Sequence, residues 1–278
     1  MRLAATLLAA ATLCACDPAQ PPAGGTAVPT ATHSQLATDL AAVRRARIFF
    51  SHHSVGENIL AGIQQVAADT GAPLSIVPLE QSAGASGPVL VHGSGGRNKD
   101  PESKIAFFEA TLRNPQLQPD VAVMKFCYVD FNPGTDVDAL LARYRRAIEA
   151  LKRERPEVRF AHVTVPLTPR SNDVKSWTRR LLGLEEWSDA ANAKRHEFNR
   201  KLVAAFPADP VFDLARIEST APDGAAVAFS YHGEAVPAMA PAYNADNGHL
   251  NALGQRASGA AAIGFFAAAL RSASGIRH

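Results

Sequence analysis

Three cysteines in 278 residues leave little for a covalent framework. Two of them, Cys14 and Cys16, lie at the very front, so Cys127 stands alone in the body of the chain and an intramolecular disulfide there is excluded. An excess of charge of one sign is also missing. The formal net charge is +2 and the basic residues are scattered, with the mixed run LKRERPE (151–157) reading as a solvated helix end. A nucleic-acid partner is therefore not expected. The apolar stretch at the front is shorter than the roughly 20 residues of a membrane-spanning helix. No internal repeat and no second linker interrupt the chain. No tight H-x-x-x-H spacing occurs among the nine histidines, so neither a metal nor another cofactor is expected. What is present is ordinary globular composition: 47% hydrophobic residues and a mean hydropathy of −0.05.

The front of the chain reads separately. MRLAATLLAAATLCAC has one arginine, then Leu and Ala, then small residues before Cys16, the order of a secretion signal. Its end resembles the bacterial lipobox, a Leu three positions before a lipidated Cys, which makes Cys16 the expected lipidation site of an exported lipoprotein on the periplasmic face of a membrane. A plain signal peptide cleaved nearby is the alternative. Asp17 resembles an inner-membrane retention signal. Residues 17–35, rich in Pro, Ala, Gly and Thr, read as an extended tether, and 36–278 as the folded domain.

Within that domain short runs rich in Val, Ile and Phe recur at 47–50, 74–78, 120–127, 158–165 and 210–214. Between them the spacing turns helical, with Val55, Ile59, Leu60, Ile63 and Val66 on one face and Val137, Leu140, Tyr144, Ile148 and Leu151 on another. Phe198, Leu202 and Phe206 repeat at every fourth position, and 252–270 is apolar or small nearly all round, as a buried helix would be. Strands alternating with helices predict a three-layer α/β/α sandwich around a mostly parallel five-stranded sheet. The segments 79–103, 166–185 and 220–248 are then large loops, and ligand sites gather where such loops leave the carboxyl ends of parallel strands.

Ser54, in RIFFSHHSVGENILAGIQQV (47–66), stands at such an end. SVGE is a capping box, with Ser54 accepting from the third N–H of a helix and Glu57 reaching back. The same position suits a nucleophile, because a helix N-terminus supplies N–H groups and partial positive charge where an oxyanion forms. His249 supplies the base: Asp246 precedes it by three residues in a turn and can hold its Nδ1–H, leaving Nε2 for a serine proton. A polar loop capped by Asn251 explains the same residues without catalysis. His162 reads as a packed core residue, and Cys127 as a small buried hydrophobe.

HHSVG near one end and DNGHLNALG near the other together resemble the SGNH (GDSL-like) hydrolases, over roughly residues 45–272. The usual Gly-Asp-Ser is here His52-His53-Ser54. The resemblance implies a flavodoxin-like fold and a serine esterase with Ser54 as nucleophile, His249 as base and Asp246 as its orienting carboxylate. It also implies an oxyanion hole, and there the match frays. KFCYVDFNP places Val129 where the family's donor Asn is expected, and only Asp130 matches. The 93–98 loop offers replacements, Gly95 or Gly96 for the backbone donor and Asn98 for the side-chain donor, with Asn132 as another candidate, so Ser54, Gly96 and Asn98 are the expected donors. Asp130, Asn132 and Arg170 are candidates for substrate contact, with Trp177 near Arg170 in a loop that would suit sugar stacking. The implied substrate is a small acyl ester, such as an O-acetyl group on a carbohydrate. An O-acyltransferase on an envelope glycan, or a non-catalytic carbohydrate-binding lipoprotein, are the alternatives.

Overall fold

The structure is a computed structural model that describes residues 32–84 and 87–274. Cys16 and the tether up to residue 31 lie outside the described residues. The first helix, α1 (His33–Val43), begins inside the expected tether, with Thr32 capping it.

The sheet has six strands rather than five: β1 (Arg47–Ser51), β2 (Ile76–Pro78), β3 (Val89–Gly93), β4 (Val121–Met124), β5 (Arg159–Val163) and β6 (Val211–Phe212). All are parallel, in the order β2-β3-β1-β4-β5-β6. The missed strand is β3, which lies in the middle of the expected 79–103 loop. Its five residues VLVHG follow Gly87 and Pro88 and run into a glycine-rich turn, so the punctuation around it hides a strand that pairs with β1 along its whole length. Two other expected loops also carry structure. Helix α5 (Val174–Leu181) lies in the second, and the antiparallel hairpin β7 (Ala228–Tyr231) and β8 (Glu234–Pro237) in the third.

Alternation along the strands sorts the core into two layers. Ile48 and Phe50 of β1 join Val121, Val123, Ala161 and Val163 on the face covered by α1, α2 (Val55–Asp69) and α8 (Ala252–Ser274). Phe49 joins Ala122, Met124 and Phe160 on the other face, under α3 (Pro101–Leu112), α4 (Val137–Glu154) and α6 (Trp187–Ala205). The short helix α7 (Leu214–Glu218) closes the first layer. Among the described residues no helix is long and apolar enough to cross a membrane.

One crossing positions the site. Helices α2 and α8 meet backbone to backbone, because a Cβ on Gly62 would lie 1.8 Å from the Gln255 carbonyl oxygen and one on Gly259 would lie 2.2 Å from the Gly62 carbonyl carbon. The two glycines bring the start of α2 and the chain entering α8 to the same edge of the sheet.

Candidate active site

β1 continues one residue past its end, where the His52 N–H donates to the Gly93 carbonyl at 2.9 Å. The His52 ring is buried beneath that point, against Phe50 and under Gly56, where any Cβ would lie 2.2 Å from His52 Cγ. His53 is fixed through its ring, with Nε2 2.7 Å from the Gly95 carbonyl oxygen, and its own carbonyl accepts from the Gly56 N–H. The chain must then reverse into α2 within one residue. Ser54 does this with φ 40° and ψ −89°, in the left-handed region that non-glycine residues avoid. Such a conformation costs on the order of 1–3 kcal/mol and persists only where the surroundings over-determine it.

The capping expectation for Ser54 fails. Its side chain makes no cap hydrogen bond, and only its backbone carbonyl accepts from Glu57 at 2.7 Å. Asp100, Asp136, Asp173 and Asp213, which open α3, α4, α5 and α7, each accept a backbone N–H three residues on. The Ser54 hydroxyl is left uncommitted, and the Ser54 N–H donates to no group among the described residues.

The other half of the site is a turn held by hydrogen bonds. His249 Nδ1 lies 2.8 Å from both Asp246 carboxylate oxygens, and the His249 N–H donates to Asp246 at 3.0 Å. The hydrogen bond from His249, first among the causes, holds the Asp246 carboxyl below its ordinary range. Around the pair, the Ala245 N–H donates to the His249 carbonyl, Asn247 takes φ 68°, and the Asn251 side chain accepts from Gly254 to start α8. Gly248 is required for a different reason than a tight turn. Its φ is ordinary, but a Cβ there would stand 2.3 Å from Tyr128 Cζ, so glycine lets the Tyr128 ring lie against the His249 turn. The Tyr128 and His249 rings meet edge to face at 6.0 Å. Buried Arg195 donates to the Tyr128 carbonyl at 3.0 Å and steadies that ring.

Asn58 joins the halves. It lies one helical turn beyond Ser54, and its Oδ1 accepts the Leu250 N–H at 3.0 Å across 192 residues of sequence. The residue after His249 is thereby fastened to the helix that Ser54 precedes about one turn, ~5–6 Å, from Ser54. No hydrogen bond links Ser54 to His249 themselves, which suits a ligand-free site, since catalytic contacts tighten when substrate binds. A polar side chain four residues after the serine was the one sequence signal for Asn58, and it was not distinctive.

The expected oxyanion donors lie on the 93–98 loop, tied to the nucleophile's neighbour by the His53–Gly95 contact. Gly96 has φ 80°, and a Cβ on it would stand 2.7 Å from the Lys104 backbone nitrogen, so the loop follows α3 as only glycine permits. Its N–H is unpaired among the described residues. Asn98 accepts from Lys104 Nζ at 3.1 Å through Oδ1, which leaves its amide N–H groups for a ligand.

Asp130 is corrected. It is buried, and its oxygens take Lys104 Nζ at 2.7 and 2.8 Å, the Lys99 N–H at 2.9 Å and the Cys127 N–H at 2.7 Å. It clamps the 93–100 loop to the end of β4 and has no face for substrate. Asn132 closes a turn, accepting from the Gly134 N–H at 2.8 Å. Arg170 is half-exposed, paired with Asp189 and 4.9 Å over the Phe229 ring. Cys127 is buried as expected, and His162 is buried between Tyr144 and Asp209.

His52, Glu57 and His92 bring metal-ligating atoms within 4.8 Å of one another. His92 meets Nε2 of His52 at 3.2 Å, while Glu57 faces Nδ1 at 3.9 Å, so the two neighbours address different nitrogens of one ring. The His52–His92 hydrogen bond accounts for this group. Burial, first among the causes, pushes the His52 ring down to about 2, so it is neutral and supports the turn by packing.

No protein-family model and no curated protein matches the chain. Solved structures do. One is described as a lipolytic protein of the G-D-S-L family from Desulfitobacterium hafniense, 9% identical over 79% of this chain and 99% of that one, with a TM-score of 0.46. A GDSL-like lipase from Parabacteroides merdae is 13% identical, covering 82% and 97%, TM-score 0.48. The periplasmic domain of a Salmonella ser. Paratyphi A lipopolysaccharide acetyltransferase is 14% identical, covering 82% and 86%, TM-score 0.44. At this distance no residue role or substrate passes from them to this chain.

Proposed function

We propose that the chain is an SGNH-type serine acyl hydrolase acting on a small acyl ester. The observation that carries this is Ser54: a strained residue at the carboxyl edge of the sheet, its hydroxyl and N–H both unspent, fastened one helical turn from an Asp246–His249 pair. Ser54 Oγ attacks the ester carbonyl as His249 Nε2 takes its proton. Asp246 holds Nδ1–H and so keeps Nε2 free to accept. The oxyanion is met by the Ser54 N–H, the Gly96 N–H and the Asn98 amide, in place of the side chain that Val129 lacks. His249 returns the proton to the leaving alcohol, then takes one from water as its oxygen attacks the acyl carbon, and gives that proton to Ser54 Oγ as the C–Oγ bond breaks and the acid leaves. The resemblance favours an O-acetyl group on a carbohydrate, reached by a lipoprotein anchored through Cys16 at the periplasmic face of a membrane.

Hydrolysis of p-nitrophenyl acetate tests the reading. Ser54→Ala and His249→Ala should each remove ~10³-fold or more of the activity, with little further loss in the double mutant, because such residues act as a unit. Folded variants that match wild type would return Ser54 to a structural role.

A further inference from the structure

Among the described residues, six of the eight exposed large hydrophobic side chains fall within residues 174–187: Val174, Trp177, Leu181, Leu182, Leu184 and Trp187, each at least 50% exposed. Both tryptophans of the chain are among them. A surface helix ordinarily turns its apolar stripe inward and its charges out. Helix α5 is mounted the other way round. Its polar side faces the body, where Ser176 is buried and bonded to Asp173, and Arg180 holds Asp189 of α6 at 2.7 and 2.8 Å. Val174, Trp177 and Leu181, spaced i, i+3, i+7, face solvent. Arg179, bonded to the Glu185 carbonyl, folds the next apolar residues back beside them, and Lys175 stands exposed at the rim with no ion pair among the described residues.

We infer that this face docks on the interface of a lipid bilayer. A short amphipathic helix with Trp and Leu on one side and basic residues at its margin is the form that lies in the headgroup boundary, where Trp is enriched. The length of chain before α1 favours the same occupant. About 15 residues separate Cys16 from Thr32, so an anchor at Cys16 keeps a weak lipid-binding face at high local concentration. This part of the argument rests on the lipoprotein reading; the inverted helix does not. Because α5 is held to the start of α6, which follows β5, it lies at the carboxyl edge of the sheet, the edge that also carries Ser54.

Trp177 lies on the α5 face and Trp187, the chain's other tryptophan, is exposed at the start of α6, so intrinsic fluorescence reports on this region. The full chain, mixed with phosphatidylcholine–phosphatidylglycerol vesicles, should shift its emission to the blue and lose roughly half of it when the lipids carry brominated acyl chains. A Val174→Asp/Leu181→Asp double variant should lose the quenching and keep hydrolysis of a water-soluble ester. Cys16→Ser should need more lipid to reach the same quenching, and Ser54→Ala should quench as wild type does, which separates docking from catalysis. Equal emission in plain and brominated vesicles would overturn the inference. So would quenching that survives the double variant, or a blue shift that tracks protein concentration without lipid and so reports self-association.

Discussion

On the nucleophile side the chain is fixed by packing. His52 is buried, Gly56 is pressed against its ring, and Ser54 sits between them at φ 40° with no side-chain hydrogen bond. On the base side the chain is fixed by hydrogen bonds in the open. Asp246 is well exposed and His249 partly so, and their turn is laced by Asn244, Asn251 and the two residues themselves. A strained backbone needs surroundings that cannot yield, whereas the proposed base, to exchange protons with solvent and substrate, needs access. Each half has the kind of support its chemistry demands.

The difference is broken most severely by adding one methyl group to each half. Gly56→Ala drives a Cβ to within 2.2 Å of a fully packed ring. The change should cost about 3 kcal/mol or more, at the upper end for overpacking, and abolish activity with it. Gly248→Ala meets the ring of Tyr128, a side chain that is partly exposed and not packed in the core as His52 is. It should cost about 1 kcal/mol while displacing the ring beside His249 and lowering activity. Urea unfolding of the two variants checks this, and equal losses would contradict the asymmetry.

Acid should reach the nucleophile side first. His52 ionises near 6.5 when unfolded and about 2 when folded, so the unfolded chain gains a proton that the fold refuses, and stability is lost as pH falls below 6.5. His162, also lowered chiefly by burial, acts in the same direction. Glu218 opposes them. Burial raises its carboxyl from 4.5 to about 8, so the fold keeps a proton that the unfolded chain sheds, and stability falls as pH rises between those values. The His52 and Glu218 effects cancel between pH 4.5 and 6.5, so wild type should hold nearly constant there, tilted only by His162, and lose about 1 kcal/mol per pH unit from 6.5 to 8. Glu218→Gln, which keeps an acceptor for the Leu167 N–H, should flatten the alkaline limb and uncover an acid limb below pH 6.5. Chemical denaturation between pH 5 and 8 reads both limbs.

Much of this was legible in the sequence. The alternation of apolar runs located five of the six strands, and the spacing of Asp246 and His249 anticipated their hydrogen bond, because both signals are local. Strand β3 was not legible, since five residues between Gly-Pro and a glycine-rich turn carry too short a period. The reversal of the Ser54 cap was not either. SVGE has the composition of a capping box, and only the burial of His52 and the ties on His53 force φ positive at the serine. Asp130 misled for a related reason: its match to a family position gave no hint that Lys104, 26 residues earlier, would occupy it.

The joint between the halves rests on Asn58. Removing its acceptor with Asn58→Ala leaves the Leu250 N–H half-buried and unpaired, a loss of about 1 kcal/mol. The effect on rate should be larger than that on stability. The crossing of α2 and α8 at Gly62 and Gly259 still holds the helices together, so the fold survives while the His249 turn loses its register against Ser54. Misplacement by about 1 Å costs up to ~10²-fold, so kcat should fall ten- to a hundredfold with KM little changed. Asn58→Asp retains an oxygen for the Leu250 N–H and suits the first turns of a helix, so it should restore most of the rate. If Asn58→Ala instead loses stability with kcat intact, the glycine crossing alone sets the distance between nucleophile and base, and the hydrogen bond merely trims the loop.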